Sequence, residues 1–345
     1  MHIKKLSIPI FIFVLVMTVG FQPTAALAGR QEIQIAGRTM GTVYHVKVIS
    51  AGESDGGILK AAIENRLIRI NRSMSTFIPD SEISRFNALK QTGNPFAVSS
   101  DFMAVVTLAR TLYRLTGGAW DGTIAPLVDL WGFGSTGATD QVPAPQTVSA
   151  LLTRVGFDMI GIGPGDHLVK KNAAVTLDLA SVAKGYAVDA VSRLIATKGY
   201  RDYLVEIGGE VFAAGRRADG RPWRVGINRP DRSAAFNAVY KAIDLSNRAL
   251  ATSGDYRNYF EADGRYYGHI LDPRTGYPVT NGVVSVSVTA DTCALADGLA
   301  TGIMVLGVEK GLALVNGLDH VECLIVVRDS GGRLIDHQSG AFLPE

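Results

Sequence analysis

The pattern of hydrophobic and polar positions separates a short apolar head from a long region of mixed strand and helix periods. Lys4 and Lys5 precede an apolar run from about Ile8 to Phe21, and the small-x-small triplet Ala26-Leu27-Ala28 follows. That order predicts an export signal at residues 1–28, cleaved after Ala28. The run is shorter than the roughly 20 apolar residues of a comfortable span, and an uncleaved inner-membrane anchor is the alternative. No second stretch of spanning length is expected. Residues 31–50 read as a strand, since Tyr44, Val46 and Val48 alternate with polar neighbours. Ile58, Ala62, Ile63, Leu67 and Ile70 recur at helical spacing, and a second amphipathic helix runs from an Asp101 cap to a Gly117-Gly118 stop. Residues 132–147, rich in Gly, Pro, Thr and Gln, mark a loop.

Further on, a strand at 174–179 is expected to lead straight into a helix at about 181–197, with Val182, Val188, Val191 and Ile195 on its apolar face. Short strands dominate from Tyr203 to Val288, punctuated by Gly208-Gly209, Asn228-Arg229-Pro230 and a turn at Asp272–Gly276. A strand at 284–288 then feeds a helix from about 292 to Gly307. Strands followed by helices without regular βαβ alternation favour an α+β fold over a doubly wound one. Residues 29–345 show no repeat and no low-complexity linker, and they suffice for one large or two intimately joined domains.

Charge removes one class of function. The formal net charge of +2 falls to 0 once Lys4 and Lys5 leave with the signal, so there is no electrostatic footprint for nucleic acid. Cys293 and Cys323 are the only cysteines, and without CxxC spacing or a His-rich neighbourhood they do not suggest structural zinc. An exported compartment permits a disulfide, but spacing does not say whether the two meet.

Three segments carry candidate chemistry. Asp297 and Thr301 lie four apart on one face of the last helix, amid Ala294, Leu295, Ala296, Leu299 and Ala300. A near-buried carboxylate needs a partner or a metal, and a carboxylate with a hydroxyl offers the hard oxygens that suit Mg²⁺ shared with substrate phosphates. The plainer alternative is a solvated Asp297 and a Thr301 bonded to its own backbone. The second segment is Thr176–Gly185, where a strand meets a helix N-terminus. Free N–H groups there attract phosphate, Lys184 can place its ammonium against a phosphoryl oxygen, and Asp178 can contact a ligand or orient the lysine. No GxxxxGK[ST] loop is present, and a capped helix with one surface lysine is the alternative. Third is Tyr267–Gly276, whose His269 can take a proton near neutral pH or serve as a hydrogen-bonded structural residue. Arg274 binds phosphate or braces Asp272. Gly132-Phe-Gly-Ser-Thr-Gly137 fits GxGxxG, but Pro143 and Pro145 follow and it opens no helix.

Taken in order, the segments resemble the ApbE family of FAD:protein FMN transferases over essentially the whole chain after the signal. The matching pieces are Met40-Gly-Thr42, Met74-Ser-Thr-Phe-Ile-Pro-Asp-Ser-Glu82, Gly118-Ala-Trp-Asp121, Leu177-Asp-Leu-Ala-Ser-Val-Ala-Lys-Gly185, Glu206-Ile-Gly-Gly209, His269-Ile-Leu-Asp-Pro-Arg-Thr-Gly276 and Ala296-Asp-Gly-Leu-Ala-Thr301. The resemblance implies an α+β fold of mixed, largely antiparallel sheets packed with helices, an ApbE-like (T-fold-like) architecture. It implies that Met40, Phe77, Ala119, Trp120, Asp121, Asp178, Lys184 and the Ile270 region line an FAD site. Ser181 and Ala300, through backbone oxygens, would join Asp297 and Thr301 around Mg²⁺. His269 would be the proton acceptor, a role that Asp121 or Asp178 can share or own. Family members often have Tyr at the position of Phe77, Phe at that of Trp120, and Gly near Ala180 or Ser181. Phe77 thus lacks a hydroxyl hydrogen bond, which bears on flavin affinity.

The implied reaction moves FMN from FAD to a Thr or Ser hydroxyl of another protein and releases AMP. An FAD pyrophosphatase giving FMN and AMP is the alternative enzyme, and a non-catalytic exported FAD-binding protein the alternative from another class. The implied partner is a client flavoprotein with an Asp-Gly/Ala-x-Ser/Thr acceptor, of the kind found in membrane electron-transfer subunits. This chain does not supply its own acceptor. Asp121-Gly, Asp219-Gly, Asp263-Gly and Asp297-Gly are followed at the required place by Ile124, Pro222, Tyr266 and Ala300, and Asp189-Ala-Val-Ser192 falls in a predicted helix. The sequence gives no sign of oligomeric state.

Overall fold

A computed structural model describes residues 30–342 except 51, 53–54, 135–140, 232–233, 236–237, 256–257, 263 and 341. The expected signal and its cleavage point lie outside the described residues. An eight-stranded sheet organises the chain, with Gln31–Thr39, Thr42–Ser50, Tyr203–Ile207, Glu210–Ala214, Arg248–Gly254, Val283–Ala290, Glu322–Arg328 and Leu334–Gln338 side by side in chain order. Every neighbouring pair is antiparallel. Side chains alternate between two cores, as the period of two requires. Cys323 and Ile325 face the main core with the helices Gly56–Met74, Ser100–Leu115, Ala180–Thr197 and Cys293–Val315. Leu324 and Val326 face the other way, under Trp223, Ile227, Ile243 and Leu245 of a two-stranded hairpin. A third cluster, Leu127, Trp131, Val148, Phe260 and Leu271, supports a small lobe beside the cavity described below. The α+β architecture is the one the sequence implies.

Several boundaries differ from the pattern-based reading. Residues 31–50 form a hairpin, because Met40 and Gly41 have φ of 50° and 74° and turn the chain between Thr39 and Thr42. Residues 175–179 form no strand and join no sheet. Leu177 N–H donates to Asn87 Oδ1 (2.7 Å), Asn87 Nδ2 donates back to Leu177 O (2.8 Å), and Asp178 N–H donates to Gly122 O (2.7 Å). Their backbone groups are satisfied by a side chain and a loop, which no apolar period can reveal. Ser99, not Asp101, caps the third helix by accepting from Phe102 N–H, while Asp101 pairs with Arg66 and accepts from the Tyr186 hydroxyl. The last helix runs beyond Gly307, which breaks it at φ 79°, and continues to Val315.

That last helix also corrects the expectation of no second spanning stretch. Cys293–Val315 is long and apolar enough to cross a bilayer. It packs instead between the sheet and the Ala180–Thr197 helix as a core element, with Asp297 only 3% exposed. Its approach to Ala180–Thr197 depends on glycine: a Cβ on Gly185 would stand 2.4 Å from Cys293 O, a backbone atom that cannot swing aside. Gly185→Ala is therefore expected to destabilise the fold by about 3 kcal/mol or more. A urea midpoint equal to that of the parent would show that the helices part freely.

The start of the same helix lacks a side-chain cap of its own, and the neighbouring helix supplies one. Asp189 accepts from Cys293 N–H at 2.7 Å and from Ala294 N–H at 3.0 Å. Burial pushes its carboxyl up to about 6, against the pull of those two donors. A folded pKa above the unfolded value means the proton is held more tightly in the folded state. The resulting stabilisation is complete below about pH 4 and is lost as pH rises through 6, by about 3 kcal/mol. Asp189→Asn keeps an acceptor and removes the titration. Relative to that variant, wild type should lose stability from pH 4 to 7 in urea melts, and parallel curves would refute the assignment.

Candidate active site

A cleft of about 430 Å³ opens where the N-terminus of Ala180–Thr197, the second turn of Cys293–Val315, the end of Arg248–Gly254 and the segments 119–124 and 269–273 converge. Ala119, Trp120, Asp121, Asp178, Ser181, Lys184, His269, Ile270, Asp297 and Thr301 all line it. Residues spread over nearly two hundred positions thus meet in one cavity. The other proposed site residues lie off that wall. Met40 sits at the hairpin turn, packed against the core, Phe77 is 81% exposed, and Ala300 is fully buried inside its helix.

Asp297 and Thr301 share a helix face, as their spacing requires. Gly185 N–H donates to Asp297 Oδ2 at 3.0 Å, and Lys184 Nζ lies 3.9 Å from the same oxygen. Burial raises the carboxyl's pKa, and the Lys184 charge and the Gly185 N–H oppose the rise. Thr301 Oγ1 lies 3.0 Å from Ser253 Oγ and 3.4 Å from the Asp297 carbonyl. Ser181 Oγ accepts from the Trp120 indole at 3.0 Å. Among the described residues no three His, Cys, Asp or Glu cluster as a closed metal cage. One buried carboxylate with hydroxyls, open to a cleft, instead fits a hard divalent cation that takes its remaining ligands from a substrate.

Lys184 does more than face a ligand. Its Nζ donates to Glu210 Oε1 at 2.8 Å, and Glu210 is itself only 4% exposed on the cavity wall. Burial pulls the lysine pKa down, but the charges of Asp297 and Glu210 outweigh it and hold the ammonium protonated. Burial likewise dominates at Glu210 and raises its carboxyl, with Lys184 opposing. Glu210 lies one residue past the Glu206–Gly209 motif and is not among the site residues expected from sequence. A carboxylate opening an otherwise apolar strand after Gly208-Gly209 was the available signal.

The remaining acids divide by what engages them. Asp121 accepts from Thr123 N–H (2.8 Å), Thr123 Oγ1 (2.6 Å) and Phe157 N–H (3.1 Å). Three donors tie its carboxylate to the 119–124 loop, while burial raises its pKa against their pull. Asp178 accepts from Ala180 N–H at 2.8 Å, and burial raises its pKa. The His269 ring lines the same cleft, with its Nδ1 3.1 Å from the Asn258 carbonyl. Arg274 grips Asp272 through Nε and Nη2 at 2.8 and 2.7 Å and so braces the turn. Cys293 and Cys323 are buried free thiols.

An α+β scaffold brings a helix N-terminus, a partly buried lysine, a hard-oxygen set and an imidazole to one cleft, an arrangement suited to binding a phosphate-bearing substrate. The chain belongs to the ApbE family, whose profile matches residues 40–325. An FAD:protein FMN transferase of Vibrio cholerae is 42% identical over 315 residues, covering 91% of this chain and 92% of that protein. The structure of flavin transferase ApbE from Vibrio cholerae superposes with a TM-score of 0.82 at 40% identity, covering 91% of this chain and 98% of the other. The apo form of Pseudomonas stutzeri flavinyl transferase ApbE gives 0.81 at 38% identity, covering 91% and 96%.

Proposed function

We propose that this chain is an FAD:protein FMN transferase that joins FMN to a Thr or Ser hydroxyl of a client protein and releases AMP. The observation that carries this reading is the meeting of Lys184, His269, Asp297 and Thr301 in one cleft, in a chain of the ApbE family. Asp297 and Thr301 would hold Mg²⁺, with backbone oxygens of Ser181 and Ala300 as further candidates. When bound, the ion would neutralise pyrophosphate charge. Lys184 and the N–H groups at the start of Ala180–Thr197 do the same from the protein side. The acceptor oxygen forms a bond to the FMN-side phosphorus as the bond from that phosphorus to the bridging oxygen breaks. The electron pair leaves with AMP, and the hydroxyl proton passes to His269 Nε2. Ala119, Trp120, Asp121, Asp178 and Ile270 shape the wall against which the flavin nucleotide lies.

The client is a separate chain, since the remaining Asp-Gly pair, Asp55-Gly56, also has an apolar residue, Ile58, at the acceptor place. Within the Asp189-Ala-Val-Ser192 candidate, Asp189 and Ser192 are 6% and 5% exposed inside a helix, so that hydroxyl cannot reach the cleft. Lys4, Lys5, the short apolar run and Ala26-Leu27-Ala28 support a site of action outside the cytoplasm, where membrane electron-transfer subunits are the fitting clients. Incubation with FAD, Mg²⁺ and a domain bearing Asp-Gly-x-Thr is expected to add the mass of FMN to that domain and release AMP. AMP release with an unmodified domain would make the protein a pyrophosphatase, and FAD binding without AMP would make it a carrier.

A further inference from the structure

His269 has a second neighbour at its rear edge. The strand Arg248–Gly254 ends one residue before Asp255, whose Oδ1 lies 3.4 Å from His269 Nδ1. That oxygen is buried and takes no hydrogen bond from the described residues. The Asn258 carbonyl lies 3.1 Å from the same ring nitrogen. A carbonyl only accepts, so Nδ1 carries the proton and Nε2 keeps the lone pair. The closeness of Asp255 is built into the chain. A Cβ on Gly268 would stand 2.1 Å from both Asp255 carboxylate oxygens, and Gly268 does not have the positive φ that would otherwise call for glycine. Glycine leaves room there for the carboxylate.

We infer that Asp255 is a positioning residue for the transfer step, acting through His269 on the imidazolium that forms when Nε2 takes the acceptor proton. The inference rests on the assignment of His269 as the base in the proposed function. The two partners at Nδ1 divide the work. The Asn258 carbonyl fixes the tautomer of the neutral ring, and as a backbone group it is not removed by a change of side chain at 255. Asp255 contributes a negative charge beside Nδ1, which matters most once the ring is positive. Such an interaction is stronger in the transition state than in the ground state, so its loss should appear in kcat rather than in substrate binding.

The test uses the full chain with FAD, Mg²⁺ and an acceptor domain. Asp255→Asn keeps the shape and removes the charge. It is expected to lower kcat for FMN transfer by about ten- to a hundredfold, with KM for FAD within about twofold of wild type. In a His269→Ala background the same substitution should cost nothing further, because the group it serves is gone. Gly268→Ala, which pushes the carboxylate aside without removing it, should lower kcat in the same direction. Histidine-selective ¹⁵N NMR should show a protonated Nδ1 at His269 in both wild type and Asp255→Asn. Wild-type kcat in Asp255→Asn, or an undiminished further loss in the His269→Ala background, would overturn the inference while leaving the base assignment standing. A wild-type transfer rate in His269→Ala would instead remove the base assignment, and the inference with it.

Discussion

Asp297→Ala is expected to lower Mg²⁺-dependent FMN transfer by at least about a thousandfold, because it removes the one carboxylate of the proposed metal set. The buried surroundings explain why no neighbour would substitute. Thr301 and Ser253 bring only neutral hydroxyls, and Glu210 is held by Lys184 at 2.8 Å. Some stability should go as well. Gly185 N–H donates to Asp297 and would lose its partner, at a cost of about 1–3 kcal/mol. Asp297→Asn separates the two effects, since it can still accept that bond but offers no charge to the ion. It should melt close to wild type and yet transfer almost no FMN. Thermal melts, Mg²⁺ titration calorimetry and mass measurement of the acceptor read these quantities independently. Wild-type AMP release with wild-type Mg²⁺ dependence in either variant would place the metal elsewhere.

The second large effect is expected at His269. A base positioned at the acceptor hydroxyl is worth roughly a hundred- to ten-thousandfold, so His269→Ala should lose about that much in transfer rate while FAD binding survives. The fold should tolerate the change. The backbone N–H of His269 still donates to Asn258 O, and the side chain gives up one hydrogen bond to the Asn258 carbonyl, the nearby Asp255 carboxylate and an edge contact with Phe133 beside the open cleft. A wild-type rate of FMN transfer in His269→Ala would remove the residue from the mechanism.

How much was legible in advance depended on the range of the interaction. Tyr44, Val46 and Val48 declared a strand because alternation is local, and Asp297 with Thr301 declared a shared face because four residues make about one helical turn. The hairpin turn at Met40-Gly41 was less visible, since only the positive φ of both residues marks it. The segment 175–179 departs from the expected strand for a physical reason. Its hydrogen-bond partners are Asn87 and Gly122, distant in sequence, and hydrophobic order carries no information about a side chain that imitates a neighbouring strand.

The sequence by itself determined the α+β class, the helix that carries Asp297 and Thr301, the helix that carries Lys184, and the likeness to the ApbE family, because short-range periodicity and collinear motifs encode these directly. Only the tertiary structure decided which partners each charged group keeps. It paired Lys184 with Glu210, committed Asp121 to Thr123 and Phe157, set Asp189 as the cap of another helix, and placed Asp255 behind His269. The energy of a charged group depends on its burial and on neighbours brought together by the folded chain, and neither is a property of its place in the sequence.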